Sequence, residues 1–263
     1  MKIQVLLSTM FQTDHSILDK INLQSDAVII NQGDRDGSCH INYKGHDVIW
    51  IDSPERGLSR SRNLAIRNAD ADVCLLCDDD EILYDGYAEN ILQAYQTLPD
   101  AELIVFNVEF SGTGRTEKKF LSPQKKPKYR SYGSVHVSFA LSAVRDKILF
   151  NTQFGSGSGV YLSGEDSLFC RDCQKAGLHC YTYPYTVAKV FCGDSTWFTG
   201  YNAKYFFDKG AYLAAAFPRM KHFYKWYFPL RLSGPSELGV AEMMRCIDRG
   251  MRDYQSRSAE ARR

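Results

Sequence analysis

The chain lacks the features that mark several large protein classes. No stretch approaches the roughly 18 consecutive apolar residues of a membrane-spanning helix. A net charge of +1 gives no overall attraction to nucleic acid, so we expect no nucleic-acid partner. The first eight residues contain too short an apolar part for a signal peptide, and they lead into polar residues without a cleavage pattern. This segment is predicted to be a first strand.

A convincing zinc motif is also lacking. The eight cysteines are scattered along the chain. Two pairs, Cys74/Cys77 and Cys170/Cys173, have the CxxC spacing of zinc ligands. The first pair lies in an apolar run that predicts a strand, and the second lies in a predicted helix. Buried free thiols in a reducing compartment are therefore the expected state, with a four-cysteine zinc site as the disfavoured alternative.

The chain does have the composition and pattern of an α/β protein. Its 263 residues, of which 44% are hydrophobic, are enough to bury a full core. Strands are predicted at 3–8, 26–31, 47–51, 73–77, 103–110 and 137–141, and helical segments alternate with them. This alternation predicts a mainly parallel central sheet flanked by helices. Ligands of such sheets bind at the carboxyl ends of the strands.

An acidic cluster follows the most apolar of these strands. The run Val73–Cys77 leads directly into Asp78, Asp79 and Asp80, followed by Glu81. Three adjacent carboxylates repel one another, and a divalent cation such as Mg²⁺ or Mn²⁺ removes the conflict because hard cations prefer carboxylate oxygens. The alternative is a solvated acidic turn.

Two further stretches carry polar groups near predicted helix starts. Three arginines lie at 56, 60 and 62 around a glycine-containing turn that enters a helix, a natural place for a diphosphate. A solvated basic helix face is the alternative. Downstream, a glycine-rich loop ends at Gly164 and leads into Glu165 and Asp166. It lacks the Gly-Lys-Ser/Thr ending of a phosphate loop, so we expect it to deliver two acids to a ligand, with simple helix capping as the alternative.

The C-terminal part differs in composition. Residues 196–263 are predicted to form a helical extension, and Phe217–Leu232 mixes bulky aromatic and basic side chains. From residue 217 onward there are ten lysines or arginines and five acids. Aromatic residues beside cations suit contact with anionic lipid headgroups. A lid over a sugar and an ordinary packed helix pair are the alternatives.

Four of these features occur in an order that resembles family-two glycosyltransferases, inverting enzymes with the GT-A type fold found in bacterial surface-polysaccharide clusters. They are Ser8-Thr9 after the first strand, the run Arg56–Asn63, the cluster Asp78–Asp80, and Gly164-Glu165-Asp166. The resemblance covers about residues 1–195. It implies a nucleotide-binding half at about 1–110 and an acceptor half at about 111–195, followed by the extension at 196–263.

The resemblance also implies roles for individual residues. Asp166 corresponds to the catalytic base, with Glu165 beside it shaping the acceptor pocket. Asp80, with Asp78, would ligate a Mn²⁺ or Mg²⁺ ion that bridges the diphosphate. Residues expected to bind the nucleotide sugar are Ser8, Thr9, Met10, Gln32, Arg56, Ser59, Arg62, Asn63, Asp78 and Asp79.

The chemistry of glycosyl transfer requires such groups independently of the family. The leaving diphosphate needs a cation, and an inverting transfer needs one base to deprotonate the acceptor hydroxyl. A glycosidase would instead need two carboxyl groups flanking the bond, which makes hydrolysis a poorer fit. The chain departs from the family pattern at Asn31-Gln32, where the family often has an acid pair, and at Met10-Phe11, where it has a tyrosine. The first departure leaves the choice of uridine open.

We therefore predict a metal-dependent glycosyltransferase that moves a single sugar from a nucleotide-diphospho-sugar, expected to be a UDP-sugar, to a glycan or lipid-linked oligosaccharide. Single transfer is favoured because the Gln-x-x-Arg-Trp motif of processive synthases is missing. The expected role is surface polysaccharide synthesis in the cytoplasm, with peripheral contact on the inner face of the cell membrane. A nucleotidyltransferase is an alternative, although residues 8–12 lack its lysine-containing glycine loop. The second alternative is a non-catalytic sugar-nucleotide-binding module.

Overall fold

The computed structural model describes residues 1–112, 117–127, 130, 132–191 and 200–260. The chain forms two compact units. The first contains Met1–Thr152 and Glu165–Gly193, and the second contains Gln153–Gly164 and Asp194–Arg263. The predicted boundary at residue 195 lies outside the described residues, as does Cys192. The predicted division into halves at residue 110 stays a prediction.

The strands of the first unit form one sheet. In the described part of the chain they are β1 (Ile3–Met10), β2 (Asp26–Gln32), β3 (Gly37–Tyr43), β4 (His46–Ser53), β5 (Val73–Asp78), β6 (Glu81–Leu83), β7 (Leu103–Ser111), β8 (Gln124–Lys125), β9 (Val137–Ala140) and β10 (Cys180–Phe191). The helices of this unit are α1 (Ile17–Lys20), α2 (Leu58–Asn68), α3 (Tyr87–Thr97), α4 (Leu141–Val144) and α5 (Glu165–Lys175). A 3-10 turn spans Ser134–His136.

The sheet has a parallel core and antiparallel additions. Its order is β3-β4-β2-β1-β5-β9-β7-β10-β6, with β8 pairing β10. Strands β4, β2, β1 and β5 are parallel neighbours, as are β7 and β10. Strands β3, β9 and β6 pair antiparallel with their neighbours. The predicted α/β fold with a sheet that is mainly parallel in its core is confirmed.

Four of the described strands have no counterpart in the sequence prediction: β3, β6, β8 and β10. β8 has only two residues, too few to show a period. β3 is an edge strand whose residues are mostly exposed, so it has no apolar alternation to detect. β6 has three residues. β10 contains Pro184, and its pairing with β7 shifts register on both sides of Thr186, which interrupts the period of two.

Side chains on the two faces of the sheet belong to two separate apolar clusters. Val5 and Leu7 of β1 join a cluster that includes Ile91 of α3. Leu6, between them, joins the other cluster, which includes Ile66 of α2 and residues of α5. Because alternate residues of a strand face opposite ways, β1 is covered on both sides. The unit therefore has three layers, with α1 and α3 on one face and α2 and α5 on the other.

The cysteines of the predicted CxxC pairs are buried free thiols. Cys74 and Cys77 lie on β5, and Cys170 and Cys173 lie on α5. Burial raises the pKa of all four. They pack as small apolar side chains in the core.

The second unit, in its described residues, is built from three helices: α6 (Ala203–Ala216), α7 (Lys221–Leu232) and α8 (Val240–Glu260). The side chain of Asn202 caps α6 by accepting a hydrogen bond of 3.0 Å from the Tyr205 backbone N–H. The loop 153–164 also belongs to this unit, because the Leu162 N–H donates to Asp208 on α6 and the Tyr161 hydroxyl donates to Asp253 on α8. None of the described helices combines the length and apolar character needed to cross a bilayer.

Helices α6 and α8 approach each other closely at two glycines. A Cβ atom at Gly210 would lie 2.1 Å from the Ile247 carbonyl oxygen, and one at Gly250 would lie 1.8 Å from the Phe207 carbonyl oxygen. Both obstacles are backbone atoms, which cannot rotate away. Any larger residue would therefore force the two helices apart.

We expect Gly250→Ala to destabilise the second unit by roughly 1–3 kcal/mol, because overpacking a close helix contact shifts the backbone. Thermal unfolding followed by circular dichroism should show a midpoint lower by about 5 °C or more. Gly234→Ala is the matched control, since a Cβ atom there meets nothing within 4 Å. Equal midpoints for the two variants would contradict the proposed role of the close contact.

Candidate functional site

The sheet brings the predicted residues of three strands to one edge. Ser8 near the end of β1 lies opposite Asp78 at the end of β5, and Met10 lies opposite Gln32 at the end of β2. Thr9 donates a hydrogen bond of 2.8 Å to the Asp79 carboxylate across the same edge. The carboxyl ends of parallel strands therefore assemble the polar groups, as expected for an open α/β sheet.

Arg62 on α2 lies at the centre of this edge. Its side chain is 2% exposed. One guanidinium nitrogen, Nη2, lies 2.9 and 3.1 Å from the two carboxylate oxygens of Asp78. The other, Nη1, lies 2.5 Å from Oδ1 of Asp166 and 3.9 Å from Oε1 of Glu165. The structure thus brings three predicted site residues, Asp78, Asp166 and Glu165, around the cation of a fourth, Arg62.

Burial and charge act in opposite directions on this guanidinium. Burial lowers the pKa of Arg62, but the negative charges of Asp78, Asp166 and Glu165 outweigh it, so the net shift is upward. Arg62 therefore stays cationic. A buried cation is stable only when it is paired and hydrogen-bonded, so the acids and the arginine depend on each other.

Ser134, which the sequence analysis did not select, completes this network. Its backbone N–H donates to Oδ2 of Asp166 at 3.0 Å. Its hydroxyl lies 2.6 Å from Nη2 of Arg62 and 3.3 Å from Oδ2 of Asp78. The residue sits in the 3-10 turn just before β9, next to Gly133. No sequence pattern marks it, because its partners lie far away along the chain.

Asp166 is consequently held through both of its carboxylate oxygens. Oδ1 accepts from Arg62 and Oδ2 accepts from the Ser134 N–H. Each carboxylate oxygen has a second lone pair, and the Asp166 side chain keeps 23% exposure. The carboxylate is oriented by these contacts and can still accept a proton from a bound hydroxyl group.

Glu165 is the third carboxylate around Arg62. It is 8% exposed, and its Oε2 atom is buried without a hydrogen-bond partner among the described residues. Burial, reinforced by the negative charge of Asp166, raises the pKa of Glu165 well above its ordinary value, although Arg62 opposes the shift. One cation does not neutralise three carboxylates, so Glu165 tends to keep its proton.

The remaining acids at the end of β5 point to different partners. The Asp79 carboxylate accepts from Thr9, and its carbonyl oxygen accepts from Lys20 at 2.6 Å. Glu81 is buried and accepts a hydrogen bond from the Asp78 N–H, and burial raises its pKa. In the described chain the Asp80 carboxylate makes no hydrogen bond or ion pair with another side chain.

The acids at this edge suit a metal that is shared with a ligand. Asp80 is exposed at the edge. Partial desolvation of its carboxyl group, with the charges of Asp78 and Asp79, raises the pKa of Asp80 to about 6. Across the described residues, no three His, Cys, Asp or Glu side chains are arranged to hold an ion by themselves. Mg²⁺ is commonly held by one or two carboxylates plus substrate phosphates, so Asp80 with Asp78 fits such an ion only together with a phosphate ligand.

The three arginines near α2 are all engaged with acids. Arg56 pairs with Asp34 at 2.8 Å, and its guanidinium lies 4.9 Å from the centroid of the Phe11 ring. Arg60 pairs with Glu55 at 3.1 Å. With Arg62 buried, any diphosphate contact by these side chains would compete with existing ion pairs.

The other predicted nucleotide-binding residues mainly brace the loops around this edge. The Gln32 side-chain amide donates to the carbonyl oxygens of Glu55 and Gly57, which fixes the turn before α2. The Asn63 side chain makes two hydrogen bonds, of 2.8 and 2.9 Å, with the backbone of Phe150. Ser59 is buried. Their predicted contacts with a nucleotide stay predictions.

Two residues near the carboxyl ends of these strands remain exposed. Met10 is 43% exposed and Phe11 is 60% exposed. Phe11 has φ = 55°, an uncommon backbone angle for a bulky residue. Together they form an apolar platform after β1, in the place where the sequence analysis noted a departure from the family pattern.

Comparisons with known proteins show a family and a shared fold. The sequence profile described as glycosyl transferase family 2 matches residues 10–150, more than half of the chain. The chain matches no curated protein significantly. Among solved structures, S. aureus TarS 1–349 in complex with UDP has a TM-score of 0.57 at 12% identity, covering 89% of this chain and 72% of that chain.

Two other TarS structures give similar values. The complex of S. aureus TarS 1–349 with UDP-GlcNAc has a TM-score of 0.59 at 12% identity, covering 90% of this chain and 74% of that one. A longer S. aureus TarS structure has a TM-score of 0.60 at 12% identity, covering 90% of this chain and 44% of that chain. At such low identity the similarity shows a shared fold.

We expect Glu165→Gln to change stability in a pH-dependent way. Because the folded-state pKa of Glu165 lies above the unfolded one, its protonated form stabilises the fold, and this contribution is lost as pH rises through the folded pKa. The amide cannot ionise. The variant should therefore gain stability relative to the parent chain when pH rises from about 5 to about 8.

Urea unfolding at both pH values measures this difference. Glu89→Gln is the matched control, because Glu89 is an exposed glutamate on α3 of the same unit. Its substitution should have an equally small effect at both pH values. If the difference in unfolding free energy between Glu165→Gln and the parent chain does not change with pH, Glu165 is ionised in the folded protein.

Proposed function

Because the chain belongs to glycosyl transferase family 2 and is therefore a glycosyltransferase, we propose that it transfers a single sugar, with inversion, from a nucleotide-diphospho-sugar to a glycan or lipid-linked oligosaccharide. The observation that carries this proposal is the Arg62 network. It links Asp78, at the strand ends where the donor is expected, to Asp166, the expected base. The donor-binding acid and the base that activates the acceptor would thus share one buried cation.

A UDP-sugar is the proposed donor. S. aureus TarS, whose fold is shared, has been crystallised with UDP and with UDP-GlcNAc. In this chain, the exposed Phe11 ring beside Arg56 offers a flat apolar surface for a nucleobase. Thr9 and Asp79 lie at the same edge, where a ribose hydroxyl could replace the hydrogen bond between them.

A Mn²⁺ or Mg²⁺ ion is the proposed cofactor, held by Asp80 and Asp78 together with the diphosphate. Such an ion stabilises the charge that develops on the leaving diphosphate. Asp80 supports this role because its carboxylate has no side-chain partner in the described chain and repels its two acidic neighbours. Asp78 is already paired with Arg62, so it would contribute one oxygen at most without breaking that pair.

Asp166 is the proposed general base. Its contacts with Arg62 and Ser134 fix the carboxylate, and a free lone pair would accept the proton of the acceptor hydroxyl. The acceptor oxygen then forms the new bond to the anomeric carbon. The bond to the diphosphate oxygen breaks on the opposite face, and its electron pair leaves with the diphosphate. The anomeric configuration is inverted.

Glu165 would assist by remaining neutral. A protonated Glu165 places no second negative charge beside Asp166 and can donate a hydrogen bond to an acceptor oxygen. A role of the protein in surface polysaccharide synthesis and its cytoplasmic location stay predictions. Family membership favours this transferase over the nucleotidyltransferase considered from the sequence.

Two substitutions separate binding from catalysis. Asp166→Asn should lower the rate of UDP release from a UDP-sugar by about 100-fold or more, since a general base contributes 10²–10⁴-fold, while UDP binding persists. Asp80→Asn should abolish the Mn²⁺-dependent part of UDP binding. Isothermal titration calorimetry with UDP, with Mn²⁺ and with chelator, measures binding, and a coupled assay of a panel of UDP-sugars measures release.

Asp100→Asn is the control, because Asp100 is an exposed acid outside the acidic cluster. It should leave both properties unchanged. Full activity of both site variants would rule out the assigned roles. UDP binding without any sugar release by the parent chain would instead favour a non-catalytic binding module.

A further inference from the structure

Helix α7 has apolar side chains on two opposite faces. Tyr224, Phe228 and Leu232 pack against the apolar cluster of the second unit. A second set recurs at positions i, i+3, i+4 and i+7, the spacing of one helix face, and points away from that cluster. Its members, with their exposed fractions, are Phe223 (64%), Trp226 (58%), Tyr227 (42%) and Leu230 (64%). We call this set the outer face of α7.

A face of this kind needs a partner. Single exposed apolar residues are normal on protein surfaces, but a contiguous stripe of four large ones marks an interaction site. Internal packing already accounts for the inner face of the helix. The outer face is therefore not required to build the core of the second unit.

The charged residues of the segment that contains α7 have one sign. Residues 217–236 contain four lysines or arginines and no acid. Lys225 pairs with Asp248 on α8. Arg219 and Arg231 are exposed, and Arg231 donates a hydrogen bond of 3.2 Å to the Tyr227 hydroxyl at the edge of the face. The apolar stripe is thus bordered by cations.

We propose that the outer face of α7 binds the headgroup region of an anionic lipid bilayer, with the helix lying parallel to the surface. Tryptophan and tyrosine favour this region because their rings are apolar and their edges are polar. Arginine and lysine can pack their stems along the apolar zone while their charges reach lipid phosphates. At 12 residues, α7 is too short to span a bilayer.

A second copy of the chain fits this face less well. In a two-fold symmetric dimer the same patch meets itself, so the cations that border each stripe would face cations of the other copy. Like charges across an interface are destabilising. An anionic bilayer offers apolar contacts to the stripe and phosphate groups to the cations that border it. This binding does not depend on the proposed sugar transfer.

Vesicle co-sedimentation tests the apolar part of the proposal. We expect the full chain to bind phosphatidylcholine vesicles that contain phosphatidylglycerol and to bind pure phosphatidylcholine more weakly. Phe223→Ser combined with Leu230→Ser should weaken binding by about tenfold or more, because each exposed side chain loses its apolar contact with lipid. Leu121→Ser is the matched control: Leu121 is 88% exposed in the other unit, so its loss should leave binding unchanged.

Charge reversal tests the basic border. Arg219→Glu combined with Arg231→Glu should weaken binding to the anionic vesicles by about tenfold or more and reduce its dependence on salt. Lys118→Glu combined with Lys119→Glu is the matched control, because both lysines are exposed in the first unit. In addition, the tryptophan emission of the full chain should shift to shorter wavelength on anionic vesicles, and Trp226→Phe should remove that shift.

Several outcomes would overturn the proposal. They are an absence of binding to anionic vesicles, equal binding by the outer-face variants and their controls, or a dimer of the parent chain that Phe223→Ser with Leu230→Ser converts to a monomer. A thermal unfolding midpoint by circular dichroism equal to that of the parent chain shows that each variant is folded. Vesicle binding without sugar transfer would support this inference and contradict the proposed function. Sugar transfer without vesicle binding would support the proposed function and contradict this inference.

Discussion

The buried guanidinium of Arg62 is the constraint on which the candidate site depends. A charge that is 2% exposed can be tolerated only if it is paired and hydrogen-bonded, and here its partners come from three different parts of the fold. Asp78 ends β5, Asp166 begins α5, and Ser134 in the turn before β9 bridges them. The network therefore fixes the relative positions of a strand end, a helix start and a turn. Positioning and charge balance are achieved by the same contacts.

The same balance separates the acids into different chemical states. Arg62 offsets the charges of Asp78 and Asp166, which leaves Glu165 as the excess carboxyl group, buried and with a raised pKa. Asp80, farther from the guanidinium, has a pKa of about 6 because partial desolvation and its two acidic neighbours disfavour its charge. One region thus offers a fixed carboxylate, a neutral carboxylic acid and a carboxylate that a cation would stabilise. This division suits a reaction that needs a base on one side and a cation on the other.

The second unit is held together by close helix packing. Its helices α6 and α8 pack at two glycines, where backbone meets backbone and even a methyl group has no room. Helix α7 packs on the same cluster through one face and leaves a second apolar face exposed, bordered by basic residues. In the first unit, by contrast, the two faces of the sheet are both covered by helices. The exposed apolar surface of α7 is thus a local property of one helix.

The sequence by itself determined the α/β class, the main strands of the parallel core and the acid groups at their ends. These features are local: an apolar run such as Val73–Cys77 and the acids that follow it lie within a few residues of one another. Tertiary structure alone decided which acid pairs with Arg62, since Asp166 lies 104 residues away in the chain. It also decided that Asn63 braces the backbone at Phe150, that Ser134 joins the network, and that the outer face of α7 is exposed. Such pairings depend on which elements become neighbours in the folded chain, and no period or composition of a single segment carries that information.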